Sequence, residues 1–300
     1  MDDDTLMAGR DTTGIERVGV CGAGLMGAGI AQVFASAGFD VVLFDVAPGA
    51  VAAAQEGIRI DLEQGVARGK VAPEVAAAAL DRLHVAEQLS SLASCGLVIE
   101  AVAERLDVKQ AVFRDLDAVC PAPTILATNT STLSVTEIAS VLAVPGRAAG
   151  LHFFNPAPRM RLVEIIPGYD TTEDTVAALY AIAARVGKTP VRVNESPGGI
   201  VSRLQLLVRN EAIRLLAEGV ATAEDIDTAM KLGSGWPLGP LELSDLVGLD
   251  IHVNNSDSLA AEMGSDRYRP HPLARKVVRA GHLGRKTGRG FHRYDEDSDT

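Results

Sequence analysis

From Ile15 to Val193 short apolar runs alternate with stretches whose apolar residues recur every three or four positions. The runs are Val18–Cys21, Val41–Phe44, Leu97–Val102, Thr124–Thr128, Gly150–Phe154, Leu162–Ile166 and Pro190–Val193. Between them the spacing predicts helices over Leu25–Ala37, Pro48–Ala67, Val108–Val119, Val135–Val141 and Glu173–Val186. Continuous Val/Ile/Leu runs, rather than alternating ones, are the mark of strands covered on both faces. Strand–helix alternation of this kind predicts an α/β domain with a mainly parallel sheet.

The pattern changes after Val193. Ser196 before Pro197 reads as a helix start, with serine as N-cap and proline at the first helical position. Ile200, Leu204, Val208, Ala212 and Leu215 then follow one helical face to Gly219. Thr222 is placed to cap a second helix that stops at Gly233, and a Gly/Pro-rich loop to Pro240 precedes more helical pattern. No strand pair is legible in this half. The reading is an acidic, disordered tail over residues 1–14, an α/β domain over 15–193 and an all-α domain over 194–300.

The first strand runs into VGVCGAGLMG, with glycines at 22, 24 and 27. Gly22 permits a tight turn, Gly24 lets backbone approach a pyrophosphate, and Gly27 allows close helix–strand packing. Gly24, Leu25, Met26 and Gly27 open the helix, where free N–H groups and the positive dipole end suit phosphates. Alone the triplet is weak, but the second strand ends in Asp45, where an acid accepts from ribose hydroxyls. A carboxylate there repels a 2′-phosphate, so NAD is expected over NADP.

In GLHFFNPAPRMRLVEII, His152 lies in one apolar run and Glu164 in the next, with a turn holding Asn155, Pro156 and Pro158 between them. If the turn brings them together, a carboxylate fixes the imidazole tautomer and the pair makes a general base. The same residues also fit a satisfied core histidine and an acid on an exposed strand face. A hydroxyl-rich segment, TNTSTLS from Thr128, follows a strand at the end where ligand crevices form. Ser134 is there expected to cap a helix, and Ser131 to face substrate.

Charge narrows the partners. The 300 residues carry a net charge of -11, which argues against nucleic acid as the main partner. Local cations still permit an anionic ligand; Arg68 and Lys70 are candidates for meeting phosphates, and equally fit a solvated face. Three cysteines without paired spacing support neither a disulfide framework nor a zinc site and fit a reducing cytoplasm. No apolar stretch approaches the roughly 20 residues of a membrane span. The first 14 residues have four acids against one arginine, the opposite of a secretory or mitochondrial signal.

With these segments in view, the chain resembles the L-3-hydroxyacyl-CoA dehydrogenase family, including bacterial 3-hydroxybutyryl-CoA dehydrogenases, from about Ile15 to Tyr294. The matching stretches are GAGLMGAGIAQVFA, EAVAERLDVKQAVF, NTSTLSVTEIA, HFFNPAPRMRLVEI, EDIDTAMKLGSGWPLGPLEL and GRKTGRGFHRY. The resemblance implies a Rossmann-type NAD domain and a helical domain that dimerises and closes over the acyl chain. It makes His152 the base, Glu164 its orienting partner and Ser131 a donor to the reacting oxygen. It places Glu104, Lys109, Asn129 and Asn155 around the nicotinamide side of the cofactor. One stretch departs: PGGIVSR stands where the family shows PGF(I/V)VNR. Ser202 thus replaces a substrate-contacting asparagine, and Gly199 replaces an aromatic, which is expected to open space.

The expected activity is therefore NAD-dependent oxidation of an (S)-3-hydroxyacyl-CoA by a homodimer. The alternatives are the same chemistry on an acyl-carrier-protein substrate or on a free hydroxy acid such as gulonate, and a non-catalytic NAD-binding protein of the crystallin kind.

Overall fold

The computed structural model describes residues 13–294. The acidic tail predicted over 1–14 thus falls, save its last two residues, outside the described chain. The chain divides into two compact units, with the boundary after Ser196.

The first unit is an eight-stranded sheet built from β1 (Arg17–Cys21), β2 (Asp40–Phe44), β3 (Leu83–Ala86), β4 (Leu97–Glu100), β5 (Ile125–Thr128), β6 (Ala148–Phe153), β7 (Leu162–Pro167) and β8 (Thr189–Arg192). Their order is β3-β2-β1-β4-β5-β6-β7-β8. Neighbours run parallel except at β6–β7, which pair antiparallel. The order reverses at β1, so β1 and β4 flank the switch point where such sheets open a ligand crevice beyond their C-terminal ends.

The two-residue period of each strand divides the core. Val18, Val20, Val41, Leu43, Leu97 and Ile99 face helices α1 (Leu25–Ser36), α2 (Ala50–Ala67), α3 (Pro73–Asp81) and, further along, α6 (Glu173–Arg185). Val42, Val98 and Leu126 face α4 (Leu106–Val119) and α5 (Val135–Ala139). Both faces are covered, which is why these strands read as unbroken apolar runs.

Two elements of this unit escape the apolar pattern. Strand β3 sits at the sheet edge with His84 and Val85 exposed, and α3 is a short alanine-rich helix burying only Ala76 and Ala79.

The second unit is helical: α7 (Val201–Ala217), α8 (Ala223–Ser234), α9 (Pro240–Val247), α10 (Leu249–Met263) and α11 (Pro272–Arg279). Thr222 caps α8 by accepting from the Asp225 amide at 3.1 Å, and α8 runs on past Gly233 to a left-handed Gly235. Helix α7 begins four residues later than the Ser196–Pro197 signal predicts. Gly198 and Gly199 have φ of 76° and 51°, so the chain turns there instead of continuing a helix. The space expected from losing an aromatic side chain at 199 is thus accompanied by a backbone that suits glycine.

Among the described residues no helix is long and apolar enough to cross a membrane, and no cluster of His, Cys, Asp or Glu is arranged to hold a metal.

Candidate active site

The turn after β1 is built for close approach. Gly22 has φ of 108°, and a Cβ there would meet the Ala101 carbonyl oxygen at 2.6 Å. A Cβ on Gly27 would lie 1.8 Å from the Gly22 carbonyl oxygen, so α1 packs against the turn only with glycine there. Gly24 differs: a Cβ would meet nothing within 4 Å. It is the N-cap of α1 with no side-chain cap, and Leu25 beyond it is 75% exposed while Met26 is half-buried. The open approach to uncapped amide donors fits a pyrophosphate.

Asp45, just past β2, accepts from the Ala23 amide at 2.7 Å and from the Ala47 amide at 2.8 Å. It therefore ties the glycine turn to the tip of β2. Its carboxylate still has lone pairs for ribose hydroxyls.

At the end of β4 lies a group that apolar patterning hides. Glu100 is fully buried and accepts from Lys109 Nζ at 2.8 Å, Thr128 Oγ1 at 2.7 Å and the Val102 amide at 2.7 Å. Lys109 also reaches Glu104 at 3.3 Å. Glu104 Oε1 in turn gathers the turn after β5, accepting from Thr130 Oγ1 at 2.7 Å, the Ser131 amide at 2.8 Å, the Thr132 amide at 3.1 Å and Ser131 Oγ at 3.2 Å. Burial pushes the Glu104 carboxyl up, but Lys109 and these donors outweigh it and hold the pKa below the usual glutamate value. Ser131 is thus placed by an anion that a buried cation supports.

Further along the same turn, Ser134 caps α5 by accepting from the Glu137 amide at 3.0 Å, as its position predicts. Glu195 accepts from Ser134 Oγ at 2.7 Å and the Thr136 amide at 2.8 Å. Asn129 accepts from the Phe153 amide through Oδ1 at 2.8 Å, tying β5 to the end of β6.

His152 and Glu164 stand opposite each other in the β6–β7 register, and His152 Nδ1 lies 2.9 Å from Glu164 Oε2. Both are buried, and the imidazole lies 4.5 Å, centroid to centroid, from the Phe154 ring. A carboxylate only accepts, so Nδ1 carries the hydrogen and Nε2 presents a lone pair.

Asn155 is exposed in the turn between β6 and β7. Lys188 donates to the Ala157 and Met160 carbonyls at 2.6 and 2.8 Å and fixes that turn from beneath. Neither Glu195 nor Lys188 carries a sequence signal of its own: one is an acid near the unit boundary, the other a lysine after a helix. Ser202 lies in the first turn of α7 in the second unit. Arg68 and Lys70 are exposed in the turn after α2, with Arg68 directed at Gln64.

A mainly parallel sheet with a glycine turn at its switch point, an acid at the tip of β2 and a buried histidine–carboxylate pair have the build of a dinucleotide-dependent oxidoreductase. The model of the 3-hydroxyacyl-CoA dehydrogenase NAD binding domain matches residues 17–196, and that of the 3-hydroxyacyl-CoA dehydrogenase C-terminal domain matches 198–294. The chain is 45% identical to the 3-hydroxybutyryl-CoA dehydrogenase of Bradyrhizobium diazoefficiens, covering 93% of this chain and 96% of that protein. It is 43% identical to that of Clostridioides difficile, covering 93% of this chain and all of the other. Among solved structures it is similar to the (S)-3-hydroxybutyryl-CoA dehydrogenase PaaH1 of Ralstonia eutropha, with a TM-score of 0.90, 40% identity and 94% and 100% of the two chains covered. The chain belongs to the 3-hydroxyacyl-CoA dehydrogenase family, and its cofactor is NAD.

Proposed function

We propose that the chain oxidises an (S)-3-hydroxyacyl-CoA, such as 3-hydroxybutyryl-CoA, to the 3-ketoacyl-CoA. The observation that carries this reading is the His152–Glu164 pair. His152 Nε2 takes the proton of the 3-hydroxyl as the C3–H bond breaks, and Glu164 stabilises the imidazolium that forms. NAD, when bound, accepts the hydride.

The residues around the pair divide the remaining work. Ser131 donates to Glu104 in the free protein and has a single hydroxyl hydrogen, so it turns that hydrogen toward the substrate oxygen as charge develops there. Glu104 keeps the Thr130, Ser131 and Thr132 donors and holds the turn in place meanwhile. Gly24, Leu25, Met26 and Gly27 serve the pyrophosphate, and Asp45 the adenosine ribose. Glu104, Lys109, Asn129 and Asn155 serve the nicotinamide side. Ser202 contacts the acyl thioester with one hydroxyl where relatives of the family use an amide, which favours a water-bridged contact.

The working form is a homodimer through the second unit, a reading supported by exposed Leu204, Leu232, Leu246 and Ile251. The cytoplasm is its proposed setting, which the three free, buried thiols suit. The direct test is NADH formation from (S)-3-hydroxybutyryl-CoA, with gulonate and a carrier-protein-bound hydroxyacyl group in parallel. Turnover of either alternative in preference to the CoA thioester overturns the proposed substrate.

A further inference from the structure

Helices α7 and α10 bury a charge that nothing on the described chain neutralises. Arg209 is 4% exposed, and among the described residues no acidic side chain pairs with it. Its Nε makes one long contact, 3.4 Å to the Gln205 carbonyl of its own helix, and its Nη1 is buried without a hydrogen-bond partner. Burial alone pulls the guanidinium down to about 10, so it stays cationic at neutral pH. Buried charges in proteins are ordinarily paired, because an unpaired one gives up its hydration with nothing in return.

Two more unsatisfied atoms belong to the same region. His252 and Ser256 lie one turn apart on α10, both fully buried, and His252 Nδ1 and Ser256 Oγ have no partners. Asn210, the residue after Arg209 on α7, bonds the His252 ring at 3.0 Å, so α7 meets α10 at this point; burial first, and then Arg209, hold the His252 pKa at about 3. The hydrogens around His252 can be assigned. Asn210 Nδ2 donates to the Tyr268 carbonyl at 3.0 Å, so its Oδ1 accepts from His252 Nε2 at 3.0 Å and leaves Nδ1 as an acceptor. The cluster thus offers donors from Arg209 and Ser256 beside one acceptor. Water satisfies hydrogen bonds, but only an anion offsets the guanidinium charge.

We propose that Arg209 and Ser256 form a carboxylate site, with a bridging water serving His252. Ser202 and Arg209 are seven residues apart on one face of α7, about 10 Å along its axis. The carboxylate is therefore either the far end of a dicarboxylic acyl chain whose thioester end meets Ser202, or a free carboxylate anion. The first source rests on the dehydrogenase reading given above; the second does not.

The test compares the full-length protein with Arg209→Met, which keeps side-chain bulk, and with Ser256→Ala, which keeps the charge and serves if the first variant fails to fold. One arm measures NADH-dependent reduction of six- and eight-carbon 3-ketoacyl-CoAs ending in carboxylate or methyl. The other follows thermal unfolding during acetate titration at constant ionic strength. An acyl-tail source gives the parent protein a kcat/KM preference for the carboxylate end of about tenfold or more, lost in the variants, the ratio expected of one charge-assisted hydrogen bond. A free-anion source gives no such preference but a saturable acetate stabilisation that the variants lose. If neither acetate nor chain end distinguishes the parent from the variants, the site is wrong. If the parent reduces no ketoacyl-CoA at all, the dehydrogenase reading falls and the acetate arm still decides the site.

Discussion

His152 on β6 and Glu164 on β7 face each other across an antiparallel pairing, with Nδ1 and Oε2 2.9 Å apart. The carboxylate orients the ring and leaves its other nitrogen with a lone pair, the base of the proposed reaction. His152→Gln, which keeps a polar side chain but no base, is expected to lower kcat by about 10²- to 10⁴-fold. Glu164→Gln is expected to fall short of that loss, since it removes the charge and permits the wrong tautomer while keeping the imidazole. NADH binding by fluorescence should change little in either variant. Turnover close to that of the parent after His152→Gln would sink the assignment.

Asp45 ties the glycine turn to β2 through the Ala23 amide. Asp45→Ala removes that tie together with the acceptor proposed for the ribose. Its expected effect is a rise of about tenfold or more in KM for NAD with a smaller change in kcat, and narrowed discrimination against NADP. Steady-state kinetics with both cofactors checks this. An unchanged KM for NAD would show that the carboxylate serves only the loop.

Lys109 is the cation that compensates buried Glu100. Lys109→Met leaves that carboxylate unpaired, and breaking a buried pair in this way costs about 3–5 kcal/mol. Glu100→Gln combined with Lys109→Met should regain part of the loss, because no uncompensated charge remains. Thermal or urea unfolding of the single and double variants reads the difference, and a double variant no more stable than Lys109→Met argues against the charge as cause.

The sheet was legible because its strands are buried on both faces and read as continuous apolar runs, as in LVIE of β4 and VVLF of β2. Edge strand β3 was not, since it is short and His84 breaks its apolar run, and α3 has too few large apolar residues to set a period. The α7 start misleads because Ser196–Pro197 is a genuine capping signal, overridden by two left-handed glycines. At the site, spacing brought His152 and Glu164 into question together, but only the strand register places them opposite each other. Glu100 looks like the end of an apolar strand, and its role depends on Lys109 and Thr128, contributed by two later elements.

Gly199 makes the backbone part of that override testable. At φ of 51°, a residue with a Cβ adopts a left-handed conformation costing about 1–2 kcal/mol. Gly199→Phe, which restores the family's aromatic, should therefore lower the melting temperature by several degrees rather than raise it. Gly199→Ala separates backbone from bulk: a similar fall locates the cost in φ. No fall in either variant means the turn rearranges freely.

The C-terminal segment offers a pH test. Its His292 ring bonds Asp227 on α8 at 2.7 Å, with Glu224 at 3.6 Å, while buried Asp245 on α9 accepts from the Phe291 and His292 amides and from Tyr294. The Asp227 bond, foremost, raises the His292 pKa above the usual histidine value against the opposing effect of burial, with Asp245 and Glu224 adding to it. A raised folded pKa means that the contact's stabilisation is full below about pH 6.5, the ordinary value, and drains away as pH climbs through the folded one. The melting temperature of the parent should accordingly exceed that of His292→Gln most in mild acid, with the gap closing toward alkaline pH. Asp245 titrates in both proteins, so taking the difference removes most of its contribution. A gap that stays constant across that window would show that the imidazole contributes packing rather than charge.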